Sequence, residues 1–206
     1  MSLRWKAVIF VCGVSLAFAT MAFVAQRLII RPGFLLAERS EARDDVTRCV
    51  EALRRECAHL TAIASDYAVW DRSIVFLRGE DPNYPAENFL PETFRNLRVN
   101  LIVVVALDGR VHFGELRDNN GEETFQAEGL PDEISRADHP FALFNDPRDR
   151  ASGLIVTPAG PMLVGACPIT ASDGQGAVFG SVIMGRLLDD VAIAELSEQT
   201  RVDVKL

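Results

Sequence analysis

The sequence predicts an α+β protein: an N-terminal transmembrane helix continues into a long helix, and an antiparallel sheet with short helices follows. Three observations support this class. Residues 7–25 are apolar and uncharged, residues 33–70 repeat apolar positions every three or four residues, and residues 101–206 contain short β-branched stretches separated by glycine-containing turns. The length of 206 residues leaves room for one membrane segment and one globular domain.

Formal charge divides the chain into two parts. The net charge is −8, and because the first 32 residues hold four basic residues and no acidic one, residues 33–206 carry −12. A domain this acidic is repelled by phosphate backbones. Nucleic acid is therefore not an expected partner. The four basic residues are Arg4, Lys6, Arg27 and Arg31.

The apolar N-terminal segment is predicted to be a transmembrane helix over residues 7–30. Its uncharged part reaches roughly 28 Å as a helix, close to the ~30 Å hydrocarbon thickness, so the lipid bilayer is an expected partner. Arg4 and Lys6 precede the segment, which places residues 1–6 in the cytoplasm and residues 33–206 in the periplasm. The expected location is the bacterial inner (cell) membrane, crossed once.

A cleaved signal peptide is the alternative interpretation of this segment. Residues 17–19, Ala-Phe-Ala, form a small-residue pattern of the kind that signal peptidase cleaves. Apolar residues continue beyond that pattern at Met21, Phe23 and Val24. Their persistence favours an uncleaved membrane helix.

Residues 33–70 are predicted to form one amphipathic helix roughly 50 Å long. Its apolar seam is expected to pack against a partner helix, as in a homodimer, against its own domain, or against both. Cys49 and Cys57 are too far apart along the helix for a disulfide within the chain, so we interpret them as core residues or as a bridge between dimer partners. The seam comprises Leu35, Ala42, Val46, Cys49, Leu53, Cys57, Leu60, Ala64 and Tyr67.

A β-hairpin is the clearest local signal after the long helix. Residues 101–107 are apolar and largely β-branched, and residues 110–115 are predicted to form the second strand. Asp108 and Gly109 between them predict a two-residue turn.

The remaining elements are predicted from turn and cap residues. Residues 116–150 are polar and acidic and predict a surface loop with one short helix, 131–137. Asp189 or Asp190 is expected to cap a helix that ends near Gln199. The others are turns over 82–91, a helix over 92–99 with Pro91 at its first position, strands over 153–158, 162–170 and 177–185, and a last strand over 202–206.

Residues 66–71, Asp-Tyr-Ala-Val-Trp-Asp, place two acids beside two aromatic residues. On a helix, Asp66 would neighbour Trp70 and Tyr67 would neighbour Asp71. An aromatic face beside a carboxylate can hold an ammonium or guanidinium group. The predicted ligand pocket consists of Asp66, Tyr67, Trp70, Asp71, Tyr84 and Asn88.

The alternative interpretation of this block is structural. Tyr67 and Trp70 would anchor the core, while Asp71 would cap a helix or pair with Arg72 or another basic group.

No sequence motif predicts catalysis or metal binding. His59, His112 and His139 lack the spacing of zinc ligands, and no Gly-x-Ser-x-Gly elbow occurs. The sequence therefore predicts neither an enzyme nor a metal or cofactor site.

Further residues accompany the acid and aromatic block in a characteristic order. They are Phe76, Tyr84, Asn88, Phe89, Leu97 and Asn100, then Gly153, Thr157, Gly160, Pro168, Ile169, Gly176 and Gly180, and finally residues 185–189, Gly-Arg-Leu-Leu-Asp. This pattern covers residues 34–206 and resembles the fourth type of CHASE domain, the cyclase- and histidine-kinase-associated sensing extracellular domains.

The resemblance implies a periplasmic sensor domain with a PAS-like or Cache-like sheet after a long helix. Such domains lie between two membrane helices and precede kinase or diguanylate cyclase parts, as in two-component and cyclic di-GMP signalling. Three departures stand out: Tyr67 replaces a usual second Trp, Arg72 replaces a usual second acid, and the chain ends at Leu206 without a second span.

The function that the resemblance implies is detection of an unknown small-molecule ligand, a periplasmic protein or another envelope signal. The signal would pass through the N-terminal helix to a cytoplasmic output that this chain does not contain. The alternative is a membrane-tethered periplasmic module that binds a solute or a protein without signalling.

Overall fold

The computed structural model describes residues 3–27, 31–122, 124, 125, 134 and 139–204. The chain divides into two compact units, Met1–Arg48 and Cys49–Leu206. The helices are α1 (Leu3–Ala25), α2 (Arg31–Ala68), α3 (Asp71–Leu77), α4 (Tyr84–Asn88), α5 (Pro91–Leu97) and α6 (Asp190–Thr200). The strands are β1 (Leu101–Ala106), β2 (Val111–Arg117), β3 (Thr124–Phe125), β4 (Ala151–Thr157), β5 (Gly160–Ile169) and β6 (Gly180–Leu187).

In the first unit, α1 contains the segment Leu3–Val24, which is long and apolar enough to cross a membrane. Among the described residues it is the single segment that meets this condition. The helix begins at Leu3, four positions before the predicted start, so Arg4 and Lys6 lie in its first turn. Residues 28–30 of the predicted span lie outside the described part of the chain.

The second unit contains a six-stranded antiparallel sheet in the order β3-β2-β1-β6-β5-β4. The α+β class and the antiparallel sheet are therefore confirmed. The three predicted late strands form β4, β5 and β6 with ends shifted by a few residues. The short strand β3 falls in the region predicted to be a loop, and β2 extends to Arg117.

The hairpin between β1 and β2 forms, but its turn differs from the prediction. The amide of Gly109 donates to the carbonyl of Ala106 (2.9 Å), and the amide of Ala106 donates to the carbonyl of Arg110 (2.9 Å), which leaves three residues in the loop. Gly109 has a φ of 81°, while Asp108 is not among the positive-φ residues. A two-residue type I′ turn needs positive φ at both central positions, so the three-residue loop forms instead.

Helix α2 packs on one face of the sheet, where Leu60, Ala64 and Ala68 are buried with Leu163 of β5. Close approach is possible because β5 has Gly165 under the helix: a Cβ there would lie 2.5 Å from the amide nitrogen of Thr61. The second half of α2 thus covers this face.

The other face of the sheet is covered by residues that the sequence analysis assigned to a surface loop. Phe141 and Phe144 are buried against Val103 and Val105 of β1, and Ile134 joins the same cluster. The surface-loop prediction is wrong here because β1 is buried on both faces and needs apolar cover on each. Of the predicted helix 131–137, only the helical residue 134 lies in the described part of the chain.

Two further predictions concern the C-terminal region. Asp189 is the N-cap of α6, and its Oδ1 accepts a hydrogen bond from the amide of Ala192 (2.9 Å), which confirms the predicted cap. The predicted last strand is wrong over residues 202–204, which form no strand, and residues 205 and 206 lie outside the described part.

Candidate functional site

The long helix ends two residues earlier than predicted, and this changes the acid and aromatic block. The amide of Thr170, just after β5, donates to the carbonyl of Ala68 (3.1 Å), and Val69 forms a bridge with Thr170. Trp70 is extended, with a φ of −152°, and precedes α3. Asp66 and Trp70 therefore do not share one helix, and the predicted four-residue pairing across this block is wrong.

Asp71 binds a turn rather than a pocket. Its Oδ1 accepts a hydrogen bond from the amide of Ser172 (3.0 Å), and its own amide donates to Ser172 Oγ (3.2 Å). This reciprocal pair joins the start of α3 to the turn that follows β5. Asp71 therefore acts structurally, with a backbone amide as its partner.

Tyr84 is buried, with 1% of its surface exposed. Its hydroxyl lies 2.9 Å from Ser73 Oγ, and its ring packs against Phe76 and Phe89 with centroids 5.1 and 5.5 Å away. Burial raises the pKa of Tyr84, so the hydroxyl stays neutral and serves as a hydrogen-bonding group. Tyr84 is an anchor of the core.

Four of the six predicted site residues do meet at one open depression of about 420 Å³. Asp66 is exposed at its rim. The pKa of Tyr67 is raised mainly by burial and to a smaller extent by the nearby charge of Asp66, so the phenol stays neutral. Asp66 is the single charged residue among the described residues that line it. The depression, called the Trp70 pocket below, is lined by Ile63, Asp66, Tyr67, Val69, Trp70, Asn88 and Leu97.

Asn88 reaches this pocket from α4. Its Nδ2 donates to the carbonyl of Tyr84 (2.8 Å), which fixes the amide at the end of the short helix. A carboxylate, two aromatic rings and an amide therefore surround the depression, a combination that suits a cation better than an anion. Ligand binding at this pocket stays a prediction.

The guanidinium of Arg72, on α3, makes a separate set of ring contacts and ion pairs that the sequence did not predict. The guanidinium carbon of Arg72 is 5.5 Å from the Trp70 ring centroid and 5.6 Å from that of Tyr84. Arg72 Nη2 donates to Asp81 Oδ2 (2.7 Å) and to Glu87 Oε2 (2.8 Å). Hydrogen bonds to Glu87 and Asp81 raise the pKa of Arg72.

Two aromatic residues of the predicted pocket, Trp70 and Tyr84, thus contact a guanidinium of the chain itself, and its carboxylate partners Asp81 and Glu87 were not among the predicted residues. No periodic spacing relates Arg72 to its two carboxylate partners, which lie nine and fifteen positions away. The only available signal was the unusual basic residue directly after the acid and aromatic block.

An arginine-rich concavity of about 250 Å³ lies elsewhere, beside α6. Arg186 pairs with Glu56 (3.1 Å) and with Glu195 (2.7 Å), and Arg98 also pairs with Glu195 (3.2 Å). Because carboxylates already balance these cations, we interpret the cluster as a bridge between α2, β6 and α6. Within the described residues, no group of three or more His, Cys, Asp or Glu is placed to hold a metal ion.

Comparison with known proteins adds three findings. Residues 52–206 match the CHASE4 domain family. The methanogenesis regulatory histidine kinase FilI of Methanothrix harundinacea (strain 6Ac) is 24% identical over 154 residues, which are 75% of this chain and 17% of that protein. The sensor domain of the V. cholerae histidine kinase DctB has a TM-score of 0.49 at 10% identity, covering 81% of this chain and 60% of that one.

The chain therefore spans about one sixth of the length of the curated histidine kinase that it matches. The family match covers three quarters of this chain, including α3 to α6, the whole sheet and the Trp70 pocket. This chain belongs to the CHASE4 domain family.

Proposed function

We propose that this chain is the extracytoplasmic sensing part of a membrane-anchored receptor. CHASE4 domains are sensor domains without catalytic activity of their own, and the similar curated protein is a histidine kinase. The apolar helix α1 would anchor the chain in the inner membrane, and the acidic domain would lie in the periplasm. The signal would pass through α2 and α1 to a cytoplasmic kinase or cyclase part.

The observation that carries this proposal is the Trp70 pocket in a domain of a sensor family. Asp66, Tyr67, Trp70 and Asn88 come from α2, the segment after it and α4, so a bound solute would touch several elements at once. A ligand shifts a two-state equilibrium only through its different affinity for the two states, typically 1 to 3 kcal/mol of coupling. Contact with the end of α2 provides a physical route for that coupling.

Ligand binding is tested by calorimetry on the full chain in lipid nanodiscs, with a panel of amines and amino acids. We expect heat from a cationic member and its loss in Trp70→Ala and Asp66→Asn. Glu80→Gln is a matched control because it removes an exposed carboxylate outside the Trp70 pocket. Absence of heat for every compound would leave the pocket as a structural feature only.

The anchor is tested by mass spectrometry of the membrane-bound protein. We expect an intact N-terminus that includes α1, since the apolar helix continues to Ala25. A mature N-terminus at Thr20 would show that a peptidase removes the anchor.

We also propose that two copies of the chain form a homodimer through α2. Val46 is exposed, and Cys49 at the start of the second unit is half-buried, so a partner helix could cover this seam. Single cysteines placed over residues 40–60 should cross-link with a period near 3.5 if two helices pair in parallel. A flat profile would reject that arrangement.

A binding module without signalling output is the competing function. The two are separated by joining this chain to a second membrane helix and a reporter kinase. A receptor domain should change kinase activity when its ligand is added, whereas a simple binding module should bind without changing it.

A further inference from the structure

Arg72 is surrounded by aromatic rings and carboxylates, the groups that proteins use to bind cationic ligands. Two aromatic rings, Trp70 and Tyr84, stand 5.8 Å apart at 56°, with the guanidinium within 5.6 Å of each centroid. Two carboxylates, Asp81 and Glu87, accept its hydrogen bonds, Asp81 from both Nε (3.2 Å) and Nη2 (2.7 Å). We call Trp70, Asp81, Tyr84 and Glu87 the guanidinium box.

The box is open to solvent. The side chain of Arg72 is 38% exposed and that of Glu87 is 56% exposed. A solute can therefore reach the carboxylates without unfolding the domain. The partially exposed Arg72 is also held by hydrogen bonds and ring contacts that a second cation of the same shape could make.

Local charge favours an additional cation. The box contains two carboxylates against one guanidinium, and Asp66 lines the Trp70 pocket, which shares the indole of Trp70 with the box. Among these named groups, three carboxylates stand against one guanidinium. A cationic solute would be attracted to this surface before any contact forms.

We propose that the guanidinium box is a binding site for guanidinium-bearing solutes in which Arg72 is a tethered and displaceable occupant. Displacement breaks the ion pairs from α3 to Asp81 and to Glu87 of α4, while Ser73 and Phe76 of α3 keep their contacts with the buried Tyr84. Solute binding therefore loosens the connection between α3 and α4 at its exposed side. As a statement about ligand class it rests on the proposed sensor function, whereas the binding step itself does not depend on signalling.

A tethered competitor has a measurable consequence. A group attached by a short linker acts at an effective concentration of about millimolar, so a free guanidinium competes poorly with Arg72 in the native chain. Removing Arg72 should reveal the empty box. A primary ammonium should bind less well than a guanidinium because it is a compact point charge that lacks the planar fork of N–H donors.

The test uses the full chain in nanodiscs with Trp5→Phe, which leaves Trp70 as the single indole, since the chain has two tryptophans. Ethylguanidinium is titrated while Trp70 fluorescence is followed. We expect the Arg72→Ala variant to bind ethylguanidinium about tenfold or more tightly than the same chain with Arg72 intact. We also expect the variant to bind ethylguanidinium more tightly than ethylammonium. Arg148→Ala is the matched control, because Arg148 pairs with Asp146 at an exposed site outside the box.

Arg72→Gln provides a second variant that retains more of the side chain, and circular dichroism reports whether each variant folds. If either unfolds, millimolar ethylguanidinium should restore its helix signal. The proposal is overturned if folded variants bind no more tightly than the native chain, if Arg148→Ala gains the same affinity, or if ethylguanidinium fails to refold an unfolded variant. Tight binding by Arg72→Ala without any effect on a reporter kinase would contradict the sensor function and leave the box assignment intact.

Discussion

The two halves of α2 have similar apolar spacing and very different surroundings. In the first half, Val46 is 63% exposed, whereas in the second half Leu60 is 1% exposed and Ala64 is fully buried. The boundary between the two compact units falls between these halves, after Arg48. A helical repeat therefore indicates which side chains share a face, but it does not indicate what covers that face.

The largest expected effect is in the packed half. Leu60→Ala should lower the free energy of unfolding by about 2–5 kcal/mol, because it removes a fully buried side chain and leaves a cavity between α2 and the sheet. Chemical denaturation of the full chain in detergent measures this loss. A change below about 1 kcal/mol would contradict the tight packing of this half.

A smaller loss is expected where the sheet approaches the helix. Gly165→Ala would place a Cβ 2.5 Å from the amide nitrogen of Thr61 and 2.7 Å from the carbonyl carbon of Leu60, so backbone must move. Overpacking of this kind costs about 1–3 kcal/mol. Gly153→Ala is the matched control, since its Cβ would meet only the Phe141 ring at 3.5 Å. Equal effects at the two glycines would contradict the close approach.

Cysteine reactivity should decrease from the boundary of the two halves towards the core. Cys49 is half-buried. The pKa of Cys57 is raised by burial and, to a smaller extent, by the charge of Glu56. Burial raises the pKa of Cys167 to about 11. Because the thiolate is the reactive form, Cys167 should react with iodoacetamide at pH 8 about tenfold or more slowly than Cys49, with Cys57 between them. Single-cysteine variants followed by mass spectrometry give the rates; similar rates at Cys49 and Cys167 would argue against the burial difference.

The smallest effect is expected in the exposed half. Val46→Ala should change the free energy of unfolding by no more than about 0.5 kcal/mol, because most of this side chain is already in contact with solvent. The measurement is made at low protein concentration so that a dimer does not contribute. A loss similar to that of Leu60→Ala would show that the first half of α2 is also covered within one chain.

Elements coded by local chemistry were predictable. The Asp189 cap of α6, the hairpin that contains Gly109 and the continuous apolar stretches of β5 and β6 all depend on residues within a few positions of one another. Helices α3 and α4 were missed because seven and five residues are too few to display a helical period. Burial of Phe141 was missed because it depends on a sheet face that is distant in sequence.

The candidate site was also predictable from the sequence only in part. The sequence predicted that Asp66, Tyr67, Trp70 and Asn88 would be close together, and the structure places all four at one depression. The helical pairing of Asp66 with Trp70 failed because a hydrogen bond from Thr170, about a hundred positions away, ends α2 at Ala68.

Local sequence specified the apolar helix, the long amphipathic helix, the positions of most strands along the chain and the acidic and aromatic composition of residues 66–71. These properties follow from composition and from spacings of two to four residues, which do not depend on contacts between distant segments. Three features depend on tertiary contacts: the burial of the second half of α2, the hydrogen bond from the amide of Ser172 to Asp71, and the position of Arg72 in the guanidinium box. Each of those depends on contacts between segments that meet only after folding, and the free energy of burial and ion pairing exists only once they have met.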